Sequence, residues 1–132
     1  LIIIETGGMK GQRKEITRDA LHGQLKKAFN QKQIMSEYGM CELLSQAYSK
    51  ADGIFRSPSW MKVYTRPLQD PFGEMELERT GLVKIIDLAN IYSCSFIETE
   101  DLGKVYQDGS FEILGRLDHT QLRGCNLMFQ ST

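Results

Sequence analysis

The sequence predicts an α+β chain: a β-α-β unit first, then a small antiparallel β-sheet or distorted β-barrel. Three observations carry this expectation. The chain opens on a continuous branched run, Leu1-Ile2-Ile3-Ile4. A helical period follows between Thr17 and Asn30. From Trp60 onward apolar residues alternate, and turn residues cut the alternation into short runs.

Residues 1–5 read as a strand buried on both faces, as in a parallel sheet. Thr6-Gly7-Gly8-Met9-Lys10-Gly11 then turns the chain. Its glycines permit close approach to a ligand, although a plain β–α turn is the simpler reading. Thr17 is a natural N-cap, with Asp19 in the first turn where the helix dipole favours it. Leu21, Leu25, Ala28 and Phe29 form one apolar face, Gly23 weakens the helix, and Asn30 closes it. Gln33–Ser36 is the second strand, parallel to the first. Ser36-Glu37-Tyr38-Gly39-Met40-Cys41-Glu42 is then a strand-to-loop-to-helix junction, with Leu43 to Tyr48 as one or two helical turns. Such a junction aims free N–H groups and a helix dipole at one point, which suits a phosphate.

Residues 49–59 read as loop, and 60–64 as strand. A Pro-Leu-Gln-Asp-Pro turn cluster lies within Pro67 to Gly73. Leu82 to Asp87, Tyr92 to Ile97 and Gly103 to Tyr106 are three further strands. Gln107-Asp108-Gly109-Ser110 is a hairpin turn, since Asp-Gly supplies the positive φ angles a tight turn needs, and Phe111 to Leu114 returns. The chain thus divides into an α/β part, 1–48, and an all-β part, 49–118.

Bulk properties exclude several classes. At 132 residues the chain can hold one domain with a real core, and a hydrophobic share of 41% is ordinary for a globular protein. A net charge of −1 supplies no field that would draw it to nucleic acid or anionic lipid. No apolar run approaches the roughly 20 residues of a membrane span. The cysteines are Cys41, Cys94 and Cys125, an odd number without a CxxC pair, so free thiols in a reducing cytoplasm are expected. His22 and His119 are expected to face solvent, with no metal-ligand spacing. A chain that begins on a buried strand without Met reads as a piece of a longer protein, with apolar surface left for self-association as a homo-oligomer.

Several motifs occur in order: Tyr38-Gly39-Met40-Cys41-Glu42, Thr99-Glu100-Asp101-Leu102-Gly103, Asp108-Gly109-Ser110-Phe111, Gly115-Arg116-Leu117-Asp118 and Arg123-Gly124. This set resembles the adenylate-forming superfamily of acyl-CoA synthetases, with its Tyr-Gly-x-Thr-Glu, Thr-Gly-Asp, Gly-Arg-x-Asp and Arg-Gly motifs. Within it the sequence is most similar to phenylacetate-CoA ligases and acyl-protein synthetases. The resemblance covers residues 1 to about 126 and implies a fragment of the large N-terminal domain of such an enzyme. Residues 119–132 would then begin a truncated C-terminal lobe, whose catalytic lysine lies outside this chain.

The resemblance implies ATP-dependent activation of a carboxylic acid as an acyl-adenylate, then transfer to a thiol, either CoA or a protein cysteine. Gly7, Gly8 and Met9 would lie against the adenine, and Tyr38 would stack on it. Gly39, Met40 and Cys41 would line the phosphates. Glu42 would be the catalytic Mg²⁺ ligand. Asp101 and Arg116 would hold the ribose, and Asp118 would mark the hinge. Two positions depart from the motif. Cys41 replaces a Thr donor with a weak S–H, and Glu100 replaces a Gly. Simpler roles stand beside these. Tyr38 serves equally as a half-buried packing residue, Glu42 as a solvated residue of a first helical turn, and Asp101 and Asp118 as turn formers. Arg116 serves as a surface ion pair. Cys125 follows a cation that would favour its thiolate, but an inert thiol is the simpler reading. A non-catalytic nucleotide-binding or interaction module of the same fold is the second functional expectation.

Overall fold

The computed structural model describes residues 1–7 and 16–117. In chain order the elements are β1 (Ile4–Glu5), α1 (Arg18–Phe29), β2 (Met35–Tyr38), β3 (Ala47–Ser49), β4 (Ile54–Phe55), β5 (Met61–Arg66), β6 (Gly81–Asp87), a 3₁₀ turn (Leu88–Asn90), β7 (Phe96–Val105) and β8 (Phe111–Arg116). They build two sheets, ordered β1-β2-β3 and β4-β8-β7-β6-β5. This is the expected α+β fold.

The helix forms where its caps place it. Thr17 Oγ1 accepts from the Ala20 amide at 3.3 Å, and Asn30 adopts φ 49° with its N–H on the Lys26 and Lys27 carbonyls. The left-handed conformation is one that Asn tolerates better than most residues. β1 and β2 pair in parallel, Ile4 with Met35 and Glu5 with Ser36.

Three expectations about this half are corrected. The opening run is not buried on both faces: Leu1 and Ile2 are exposed, and only Ile4–Glu5 is strand, because β1 is the sheet edge and pairs with β2 alone. The helix buries His22 rather than the Ala28 and Phe29 end of its apolar face, which is exposed. His22 therefore does not face solvent; its Nε2 lies 3.2 Å from the buried Ser36 hydroxyl. Finally, no helix follows Glu42. The Leu43 amide closes a turn on Met40 O at 3.1 Å, and the chain returns as β3, antiparallel to β2, with Tyr38 opposite Ala47.

The second sheet is antiparallel throughout. β4 lies within what reads as loop. The strands expected at 92–97 and 103–106 are instead parts of one strand, β7, which starts at Phe96. The hairpin turn forms as expected: Gly109 takes φ 77°, its N–H donates to Tyr106 O at 3.0 Å, and Val105 pairs with Phe111. Register shifts at Leu82/Lys84 and Leu102/Gly103 are bulges, which re-aim the side chains beside them.

One apolar cluster joins the two sheets. Leu43 from the loop between β2 and β3, and Ala47 from β3, pack with Phe55, Met61, Val63, Val83, Ile85, Val105 and Phe111. Phe55 and Phe111 stack at 5.5 Å between centroids, worth about 1 kcal/mol beyond their buried area. Tyr38 packs against this cluster from its edge.

Candidate functional site

Tyr38 ends β2 and Asp101 lies inside β7, so the two sheets must meet for these residues to touch. They do: the Tyr38 hydroxyl donates to Asp101 Oδ2 at 2.7 Å. The Tyr38 ring sits edge-on to Phe111 at 5.6 Å and tilted to Phe55 at 6.0 Å. Burial, then the hydrogen bond and negative charge of Asp101, push its phenol far above the ordinary tyrosine value. Tyr38 is thus a half-buried packing residue that also presents a fixed hydroxyl.

Asp101 is not a turn former, because it is paired within a strand. Its orientation is set locally. The Asp101 amide donates to Thr99 Oγ1 at 3.0 Å, and that hydroxyl donates to Val83 O at 3.0 Å. Glu100 therefore disturbs no turn. Asp101 Oδ1 takes no hydrogen bond among the described residues. Arg116 stands directly across the ladder from Asp101. It is mostly exposed and pairs with Glu100 at 3.2 Å, which is the surface ion pair of the simpler reading and contributes little to stability.

Gly7 approaches the same place from β1. Since Glu5 pairs with Ser36, Gly7 and Tyr38 each lie two residues beyond a paired position in adjacent parallel strands. Gly7 has φ 71°, a conformation that favours glycine, and its amide donates to Glu5 Oε2 at 2.8 Å. Gly8, Met9, Asp118, His119 and Cys125 lie outside the described residues.

After Tyr38 the chain runs over the surface. Gly39 touches Gln46, where an added Cβ would come within 3.2 Å of Cγ, and Met40 packs on the core. Cys41 and Glu42 are exposed, and Cys41 is a free thiol. The expected helix dipole is absent here, so it supplies nothing to a phosphate. The expectation that Glu42 lies in a helical first turn is likewise corrected. The Glu42 carbonyl is held by Asn90 Nδ2 at 2.8 Å, which fixes the loop and leaves the carboxylate outward. No group of three or more His, Cys, Asp or Glu that could hold a metal exists among the described residues. A single outward carboxylate nonetheless fits Mg²⁺, which is commonly held by one or two carboxylates together with phosphate oxygens and water.

The organiser of this loop is Asp87, which the sequence shows only as the end of a strand. It is fully buried. Its Oδ2 accepts from the Leu44 and Ser45 amides at 3.0 and 2.9 Å, and its Oδ1 from Ser45 Oγ at 2.7 Å and the Ala89 amide at 3.1 Å. Burial alone would raise its pKa; the hydrogen bonds from Ser45, Ala89 and Leu44 outweigh that and hold it below the usual carboxylate value. Ser45 Oγ in turn accepts from Trp60 Nε1 at 2.9 Å. The one local clue in the sequence is the N-cap pattern of an Asp before Leu88-Ala89-Asn90.

The fold is shared with solved enzymes. The chain superposes on O-succinylbenzoate coenzyme A synthetase (MenE) from Bacillus subtilis, solved with AMP, with a TM-score of 0.58 and 18% identity, over 88% of this chain and 26% of that one. For apo MatB from Rhodopseudomonas palustris the TM-score is 0.57 and the identity 16%, over 87% and 25%. For the luciferase-like enzyme of the mealworm Zophobas morio they are 0.53 and 17%, over 79% and 30%. The resemblance in the motifs is thus accompanied by a resemblance in fold to a coenzyme A synthetase solved with AMP. The chain spans about a quarter of the length of the first two. No protein-family model matches the sequence, and no curated protein matches it.

Proposed function

We propose that this protein binds an adenine nucleotide where β2, β7 and β8 meet, and that it forms the nucleotide half of a site for acyl adenylation. The observation that carries the proposal is the Tyr38–Asp101 hydrogen bond with Arg116 across the ladder. It joins residues of three separate motifs in one place. Asp101 keeps Oδ1 for the ribose hydroxyls, Tyr38 offers aromatic area to the adenine, and Arg116 donates to the sugar. Gly7, just beyond the end of the first strand, borders the base. Gly39, Met40 and Cys41 border the phosphates, where the Cys41 thiol is a weak donor.

In the reaction, a carboxylate oxygen of the acid attacks the α-phosphate of ATP, and pyrophosphate leaves. The acyl group then passes to a thiol, CoA or a protein cysteine, releasing AMP. Glu42 would hold Mg²⁺, which supplies charge neutralisation on the phosphates. The chain's own part is positioning: a rigid β-ladder holds the sugar while the loop anchored by Asn90 and Asp87 keeps Glu42 facing the phosphates. Asp118 would mark the hinge, and the identity of the acid would be set by the rest of such an enzyme.

The weak donor at Cys41 favours a second reading, a nucleotide-binding module without catalysis. Titration with AMP and with ATP·Mg²⁺ tests the nucleotide site. ATP–pyrophosphate exchange with a panel of fatty and aromatic acids separates the two readings.

A further inference from the structure

The polar network beneath the Gly7 turn carries an inference beyond nucleotide contact. Glu5 has two jobs. Its Oε2 accepts the Gly7 amide at 2.8 Å, and its Oε1 faces Arg18 Nε at 3.6 Å and His22 Nε2 at 3.5 Å. The Glu5 side chain is nearly buried, so these interactions are only weakly screened. Arg18 also has two partners. Its guanidinium lies over the Phe55 ring, 5.2 Å from the centroid. Phe55 stacks on Phe111, and both rings flank Tyr38.

The bare Gly53 leaves the room that the Arg18 guanidinium occupies beside Phe55. Gly53 has φ 68°, and a Cβ there would lie 2.7 Å from Arg18 Nη1. The sequence thus leaves space, places a planar cation in it, and ties that cation to the carboxylate holding Gly7. Arginine suits this position because its planar group can stack on a ring and pair with a carboxylate at once.

We infer that Glu5 and Arg18 are positioning residues: they align the Gly7 turn with the ring cluster that sets Tyr38, and so pre-organise the two sides of the adenine nucleotide site. The inference rests on the nucleotide reading for its effect on affinity, but the coupling itself is a property of the free protein. Pre-organisation raises affinity because the ordering cost is met before the ligand arrives.

The test uses Glu5→Gln, Arg18→Met and Arg18→Lys, read by NMR of the free protein and by AMP titration. Glu5→Gln should speed Gly7 amide exchange and weaken AMP, each about tenfold. Arg18→Met should do the same and also move the Phe55 and Tyr38 ring signals. Arg18→Lys should restore Gly7 protection, through charge on Glu5, without restoring the ring signals. Unchanged Gly7 exchange in both Glu5→Gln and Arg18→Met would overturn the coupling. Unchanged AMP affinity in variants whose Gly7 exchange has risen would overturn the positioning role. If the wild-type protein binds no AMP while Gly7 exchange and ring signals respond as stated, the nucleotide reading fails and the coupling stands.

Discussion

Tyr38 and Asp101, separated by 63 residues of chain, meet in a 2.7 Å hydrogen bond that ties the parallel β1–β2 unit to the antiparallel sheet. Each residue does structural work that a ligand would also use. Tyr38→Phe keeps the ring against Phe55 and Phe111 and removes only the donor. It should cost about 1 kcal/mol, whereas Tyr38→Ala should cost about 3 kcal/mol or more. Urea denaturation of the two variants checks the order. Equal losses would mean that the hydroxyl, not the ring, carries the contact.

Burial and the Asp101 contact should keep the Tyr38 phenol protonated well above the ordinary tyrosine range. In the unfolded chain it ionises near pH ~10. Its folded value is raised above that, so the stability it contributes is fully present below about pH 10 and is lost as pH climbs toward the folded value. Ultraviolet titration of wild type against Tyr38→Phe should show one late, missing transition.

The buried Asp87 should be the most sensitive single support of the loop after Glu42. Removing its carboxylate strands the Leu44 and Ser45 amides and the Ser45 hydroxyl. Asp87→Ala should therefore cost about 3 kcal/mol or more, and Asp87→Asn less. Because its folded pKa is lowered, its contribution is present above the ordinary carboxylate range and disappears as pH falls through the folded value. A denaturation midpoint for Asp87→Ala close to wild type would contradict this role.

Asp108 gives a sharper acid signature. Hydrogen bonds from the Ser110 hydroxyl and amide, then from Arg56, hold its carboxyl down to about 2. An unfolded aspartate titrates near ~3.9. The turn should therefore be intact above about pH 4 and should loosen only as pH falls toward 2. The ¹³C signal of the Asp108 carboxyl reports this directly; titration near 4 would show that the turn does not hold it.

Gly103 tests the bulge that sets Asp101. A Cβ there would lie 2.5 Å from the Glu112 carbonyl oxygen and 2.9 Å from Val83 Cγ2, neither of which can swing away. Gly103→Ala should cost about 2 kcal/mol and shift the Asp101 amide signal. A silent substitution would mean that the bulge yields easily.

What could be read in the sequence was what local chemistry decides. Thr17 and Asn30 bound the helix because a cap needs only its own neighbours, and Asp108-Gly109 marks its hairpin for the same reason. The segment after Glu42 forms a loop where its sequence suits a helix, because the Leu44 and Ser45 amides donate to Asp87, more than 40 residues away. His22 was misread as solvent-facing because Glu5 and Ser36, which surround it, arrive only when the strands pair. The site followed the same rule. Motif order pointed to Tyr38, Asp101 and Arg116; a ladder pairs the last two, and a hydrogen bond between the sheets brings Tyr38 to Asp101. Of the supports beneath them, Asp87 shows only its N-cap pattern before Leu88, and Thr99, Glu5 and Arg18 show no local signature of those roles.

Calorimetric titration of AMP and ATP·Mg²⁺ into wild type and Asp101→Ala tests the central claim most directly. Asp101→Ala removes the carboxylate proposed to hold the ribose and keeps the Tyr38 ring. The expected result is saturable, one-to-one binding by wild type, weakened at least about tenfold in Asp101→Ala, with an intact fold by circular dichroism. No binding by wild type, or equal binding by the variant, would contradict it.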